Sequence, residues 1–231
     1  MSDREPVIVF ALFPGVTQLD FTGPHQVFSS LPGASVILAS VTGGSLVGSG
    51  ITFAGLSRLA DIARCDIVCV PGGQGVTDNA IGDEVFLNEL RRLAATAKYV
   101  TSVCTGSLAL GAAGLLRGKR AACHWAWRDL LAPFGAIADP GRVVRDGNVI
   151  TGGGVTAGID FALTVVAELA GSETAQAIQL QIEYAPAPPF NSGSPETAPA
   201  PIVARLRDRN MAIAAQRQGA VEAAAARLAP R

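Results

Sequence analysis

The sequence predicts one α/β domain, a mostly parallel central sheet flanked by helices on both faces. Three observations carry that prediction. Apolar runs of strand length recur along the chain. They alternate with segments of helical periodicity. Glycine-rich loops follow several of the runs, as at Pro71-Gly72-Gly73. With 231 residues, 49% of them apolar and 16% charged, the chain is long enough to bury a substantial core.

The elements follow in order. Residues 7–13 read as the first strand, 17–31 as a helix interrupted near Gly23-Pro24, and 34–41 as the second strand. Gly43-Gly44 opens a stretch in which Leu46-Val47 and Ile51-Thr52-Phe53 suggest a hairpin. Residues 66–70 are a short strand, and 83–98 an amphipathic helix with Val85, Phe86, Leu90 and Leu93 between charges. Residues 98–103 form a strand that feeds Cys104, and 105–116 a helix stopped by Arg117-Gly118. A short strand over 121–124 precedes a helix near 125–131. Residues 141–150 read as two strands joined by the turn Asp146-Gly147-Asn148. Residues 156–170 form a strongly apolar helix closed by Gly171. The α/β domain spans 1–184. Residues 185–231 form a proline-rich arm and a helix over 202–228, part of the same domain and expected near a neighbouring subunit.

Composition excludes several classes. The net charge is −1 and Lys and Arg do not cluster, against nucleic-acid binding. A charged start runs straight into the first strand, and no apolar stretch approaches the ~18 residues of a membrane span. The expected location is cytoplasmic, with no membrane partner. The four cysteines (Cys65, Cys69, Cys104 and Cys123) and two histidines match no zinc spacing. No metal is expected.

Ligands in open parallel sheets bind beyond the carboxyl ends of the strands. Three loops fall there: those after residues 13, 70 and 103. In the last, Val103-Cys104-Thr105-Gly106 places a thiol at a strand-to-helix turn. Unpaired N–H groups and the dipole of a helix start favour an anion, and thiols so placed have pKa values lowered to roughly 3.5–7.5. The alternative is a buried core cysteine. Asp20, between Leu19 and Phe21, reads either as a poorly solvated acid with a raised pKa or as a helix cap. The N–H groups of Gly72 and Gly73 can approach a ligand closely, or simply make a tight turn. Thr105 offers an N–H and a hydroxyl, or starts a helix. His124 has Ala126 where a Cys-His-acid triad places its carboxylate, and it reads as a half-buried residue near Trp125 and Trp127.

Together these loops resemble the ThiJ/PfpI-like superfamily, a flavodoxin-like, glutamine-amidotransferase-like sandwich with a cysteine nucleophile elbow. Within it the chain is similar to the isocyanide (isonitrile) hydratases. The resemblance rests on the run from Pro14 through Asp20 to Pro24, on the run from Gly152 through Thr156 to Asp160, and on the stretch from Gln179 to Thr197. Many superfamily members carry glutamate on the first acid loop, whereas the hydratases carry aspartate, here Asp20. The resemblance implies a homodimeric lyase, needing no metal and no organic cofactor, that converts an isonitrile and water to an N-substituted formamide through a Cys104 thioimidate. In it Asp20 is the proton source. Thr105, Gly72 and Gly73 hold the anionic centre, and Gly153 packs close to the site. Glyoxalase-like, deglycase-like or peptidase-like chemistry, and a ligand- or redox-sensing domain, are the alternatives.

Overall fold

The computed structural model describes residues 5–228. The strands are β1 (Val7–Ala11), β2 (Ser35–Ser40), β3 (Gly44–Gly48), β4 (Ile51–Arg58), β5 (Ile67–Val70), β6 (Tyr99–Val103), β7 (Arg120–Ala121), β8 (Ile137–Ala138), β9 (Val143–Asp146) and β10 (Val149–Gly152). Among the described residues, eight of them form one sheet in the order β3-β4-β2-β1-β5-β6-β10-β9, and β7 pairs with β8. The pairs from β4 through β10 are parallel, while β3 and β9 pair antiparallel at the two edges. The parallel centre is buried on both faces: all four residues of β5 and all five of β6 are buried. That is why these strands are continuously apolar or small rather than alternating.

The helices are α1 (Gln18–Ser29), α2 (Gly75–Asp78), α3 (Glu84–Ala94), α4 (Gly106–Ala112), α5 (Ala157–Ala170), α6 (Ser172–Gln181) and α7 (Ala200–Ala226). Asp83 caps α3, accepting the N–H groups of Val85 and Phe86 at 2.9 and 3.1 Å. The core is dense in aromatic and branched side chains. Phe10, Phe21, Phe28 and Phe161 are at most 1% exposed, each contributing about 1.5–3 kcal/mol by leaving water.

Four expectations need correction. The first helix is not interrupted at Gly23-Pro24: α1 runs through both. A Cβ on Gly158 would lie 2.9 Å from Pro24 Cδ, and one on Gly23 3.2 Å from the Ile159 side chain. The Gly-Pro pair therefore serves a close α1–α5 contact rather than a break. The strand expected over 121–124 is the two-residue β7, and the helix expected near 125–131 is a 3-10 helix, Arg128–Phe134. The helix after Cys104 is shorter than expected, ending at Ala112. Helix α6 lacked a clear apolar stripe and was not anticipated; only Ala175 and Ile178 on it are buried.

Helix α7 packs on its own chain, against α2, α4 and the 3-10 helix. It buries Arg217, Val221 and Ala224. Among the described residues no helix is long and apolar enough to cross a membrane.

Candidate active site

The site is built around the end of β6. Cys104 has φ +58°, a left-handed conformation that costs a non-glycine residue about 1–3 kcal/mol. Its neighbours hold it there. The Cys104 N–H donates to Gly152 O at 2.9 Å, continuing the β6–β10 ladder by one residue. A Cβ on Gly106 would lie 2.0 Å from Val70 O, so only glycine lets α4 start this close to β5. The Ser107 and Ser102 hydroxyls share a 2.8 Å hydrogen bond beneath the turn. This is the strained strand–turn–helix arrangement that presents a nucleophile. Cys104 is 5% exposed, and the N–H of Thr105 donates to its sulfur.

Asp20 meets the elbow from α1. It lies in the first turn of that helix, whose N-cap is Thr17, so the cap reading of Asp20 does not hold. The residue is fully buried. Its Oδ2 accepts the Gly72 N–H at 2.9 Å, and the Cys104 side chain is hydrogen-bonded to its carboxyl group. Oδ1 is buried without a well-formed partner among the described residues. Loss of water pushes the Asp20 carboxyl up to about 7, although the Cys104 and Gly72 hydrogen bonds pull it down.

The sequence-based expectation of a lowered Cys104 pKa is corrected. Burial and the neighbouring Asp20 push the thiol well above its ordinary range, and the Thr105 N–H offsets only part of this. The helix start alone does not outweigh removal from water. The two groups instead form one buried, hydrogen-bonded acidic pair in which burial disfavours the charged form of each.

Gly72, Gly73 and Thr105 surround that pair, with a division of labour the sequence did not reveal. A Cβ on Gly72 would lie 2.6 Å from Asp20 Oδ2 and 2.6 Å from Thr105 N. The Gly73 N–H donates to Thr105 Oγ1 at 3.0 Å, and Gly73 has φ +143°. Both glycine N–H groups and the Thr105 hydroxyl are thus engaged inside the protein. At rest they hold Asp20 and the elbow in register, instead of pointing free as anion donors. The Thr105 N–H is the group that faces the sulfur.

Gly153 follows β10 and donates its N–H to Arg142 O at 2.9 Å. It lines a cleft of about 290 Å³ together with Cys123, His124, Arg128, Thr156 and Glu196. His124 packs on Trp125 with ring centroids 5.8 Å apart, and its Nδ1 accepts the Ala126 N–H at 3.3 Å. Burial and nearby arginines lower its pKa, keeping the ring neutral. Cys123 and Arg128 line this cleft, and the Arg217 guanidinium lies over the Trp127 ring, 4.1 Å from its centroid; burial pushes the Cys123 thiol up, with both arginines opposing. Sequence reasoning missed the arginines because they lie in segments without a motif.

The DJ-1/PfpI family model matches residues 6–168. A Pseudomonas putida protein named isonitrile hydratase is 54% identical over 226 residues, covering 96% of this chain and 97% of its own. The crystal structure of a ThiJ/PfpI family protein from Pseudomonas syringae superposes with a TM-score of 0.89 at 41% identity, covering 96% of this chain and 90% of that one. Drosophila melanogaster DJ-1beta shares the fold, with a TM-score of 0.70 at 24% identity over 79% of this chain and all of its own. The family model covers well over half of the chain, and the near full-length relative points the same way: the chain belongs to the DJ-1/PfpI family.

Proposed function

We propose that this protein hydrates isocyanides, R–N≡C, to N-substituted formamides, R–NH–CHO, with Cys104 as covalent nucleophile and Asp20 as proton carrier. The observation that carries the reading is the near full-length, 54% identity to the Pseudomonas putida isonitrile hydratase. The Asp20–Cys104 pair supplies the groups the chemistry needs.

The terminal carbon of an isocyanide accepts a thiolate. As the sulfur attacks, the thiol proton passes to the Asp20 carboxylate and on to the isocyanide carbon, giving the thioimidate R–N=CH–S–Cys104. Water then adds to that carbon, with Asp20 taking and returning a proton. The C–S bond breaks, the sulfur regains its proton, and the formamide leaves. Every atom of the product comes from the isocyanide and one water, so no cofactor or metal enters the balance.

Thr105 supports the sulfur anion through its N–H. Gly72 and Gly73 shape the floor beneath the reacting carbon, and Gly153 forms the wall through which the substituent R is admitted. The packing of α7 on α2, α4 and the 3-10 helix supports reading 185–231 as part of the same domain as 1–184. The protein works as a homodimer. Leu180, Phe190 and Met211, exposed by 81%, 77% and 70%, are apolar side chains that a partner subunit would cover. Four unpaired thiols suit a reducing cytoplasm.

A substrate panel tests the activity. Purified protein is expected to form the formamide from an alkyl or aryl isocyanide and to turn over methylglyoxal poorly. Good methylglyoxal turnover without any isocyanide hydration overturns the assignment.

A further inference from the structure

Three of the four glycines that line the cleft beside the elbow meet no packing need. Gly153 and Gly154 border it from the end of β10, and Gly193 borders it from the arm. A Cβ on Gly154 or Gly193 would meet nothing within 4 Å, and one on Gly153 would come no closer than 3.5 Å to a neighbour. None of the three has a left-handed φ. The fourth, Gly141, is crowded: its Cβ would lie 2.9 Å from the Val144 side chain. The inner wall of the cleft is tied to the nucleophile's turn. The Cys104 N–H donates to Gly152 O at 2.9 Å, one residue before Gly153. Ser107 Oγ donates to Ala122 O at 2.5 Å, one residue before Cys123, which also borders the cleft. The outer wall is the arm, where Ser194 O accepts the Thr197 and Ala198 N–H groups at 3.2 and 2.9 Å and closes a turn. The root of the arm is fixed by Tyr184, whose hydroxyl donates to Asp160 Oδ2 at 3.1 Å; the same oxygen accepts from Arg142 Nε at 2.8 Å.

We infer that Gly154 and Gly193 are specificity-determining residues: they keep the cleft between the start of α5 and the arm open for a neutral, ring-sized substituent, aryl or cycloalkyl, on the isocyanide. This rests on the hydration reading above and names its substrate class. A glycine costs chain entropy on folding. Where neither φ nor packing calls for one, the space it leaves is what it provides. The size of the cleft, about 290 Å³, points to a ring. A cavity of about 150 Å³ holds benzene, so this one takes a ring with room for water, whereas a methyl substituent leaves most of it empty. Trp125, Val155 and Pro195 give it apolar surface, against which a ring is removed from water. Its charges offset one another. Arg128 and Glu196 are opposite in sign, and Arg142 is paired with Asp160 at 2.6 Å. A neutral substituent suits such a lining.

The test compares the full-length parent with Gly154→Leu and Gly193→Phe, using methyl isocyanide and cyclohexyl isocyanide. The ratio of kcat/KM, cyclohexyl over methyl, is expected to fall about tenfold in each variant, chiefly through KM for the larger compound. Gly154→Ala and Gly193→Ala are expected to lower it about twofold, and they decide the matter if the larger side chains do not fold. A second measurement needs no hydration: labelling of the Cys104 peptide by N-cyclohexylmaleimide and by iodoacetamide, followed by mass spectrometry. The two bulky variants are expected to slow the larger reagent about tenfold more than the smaller. Folded variants that keep the parental kcat/KM ratio overturn the inference. A parent that hydrates neither compound refutes the hydration reading instead. The labelling ratio then decides the role of the two glycines: a parental ratio overturns it, and a lowered one supports it.

Discussion

Asp20 and Gly72 are joined by a 2.9 Å hydrogen bond from the Gly72 N–H to the buried carboxylate. It fastens the first turn of α1 to the loop after β5 and sets the acid beside the Cys104 sulfur. The acid is thereby held without water, and its proton affinity follows from that.

The first prediction concerns stability. Burial raises the Asp20 pKa from 3.8 to about 7, so between pH 4 and 7 the folded state holds a proton that the unfolded state has released. Stability therefore falls as pH rises through that window, by on the order of 4 kcal/mol for an unrelieved shift of this size. Asp20→Asn removes the effect. Urea titrations at pH 4 and pH 8 should show the variant close to the parent at the lower pH and more stable than it at the higher. A variant less stable at pH 8 contradicts the buried-acid description.

The second concerns rate. Hydration needs the pair with one proton between sulfur and carboxyl group. Below about pH 7 Asp20 is protonated as well, and the pair has no site to receive the thiol proton. The log of kcat/KM should rise with pH and level off near an apparent pKa of about 7 that belongs to the pair. In Asp20→Asn the rise should vanish and the rate should fall at least about a hundredfold. A parental profile flat from pH 5 to 9 argues against proton sharing.

The third concerns Gly72→Ala. The new methyl would meet Asp20 Oδ2 and Thr105 N, both at 2.6 Å, and Thr105 Oγ1 at 2.7 Å. Backbone and a buried carboxylate cannot retreat as a flexible side chain does. A loss of about 1–3 kcal/mol is expected, with a larger proportional loss of turnover, measured by denaturation and hydration assay on the same sample. Parental stability would show that the loop is looser than described.

The fourth isolates the strain at the elbow. Cys104 sits at φ +58°, so Cys104→Gly should be more stable than Cys104→Ala by about 1 kcal/mol, despite the greater chain entropy of glycine. Thermal or denaturant unfolding of the two variants measures the difference. Equal stabilities, or a more stable alanine variant, would remove backbone strain from the account.

The parts of the site that were legible in the sequence are those fixed by pattern. A β-branched run ending in Cys104, followed by Thr105 and Gly106, marks the elbow because strand period and turn residues are local. Asp20 stood out through its apolar neighbours. What stayed hidden depends on direction and distance. The sequence suggested free N–H groups at Gly72 and Gly73, but the loop turns them onto Asp20 and Thr105. Local rules marked Gly23-Pro24 as a break, and tertiary packing on Gly158 overrides them. The thiol pKa departs from expectation for a related reason: the helix start is visible in the sequence, whereas the depth of burial that opposes it is set by the whole fold. Arg217 lies far along the chain from Trp127, and only the packing of α7 brings them together.

The most direct test of the central claim is a steady-state hydration assay that follows formamide formation from one isocyanide, run side by side on the parent protein and Cys104→Ala. The account predicts sustained formamide release by the parent and none above the uncatalysed rate by the variant. A parent that releases no formamide, or a variant that matches it, would contradict the claim that this sulfur carries the reaction.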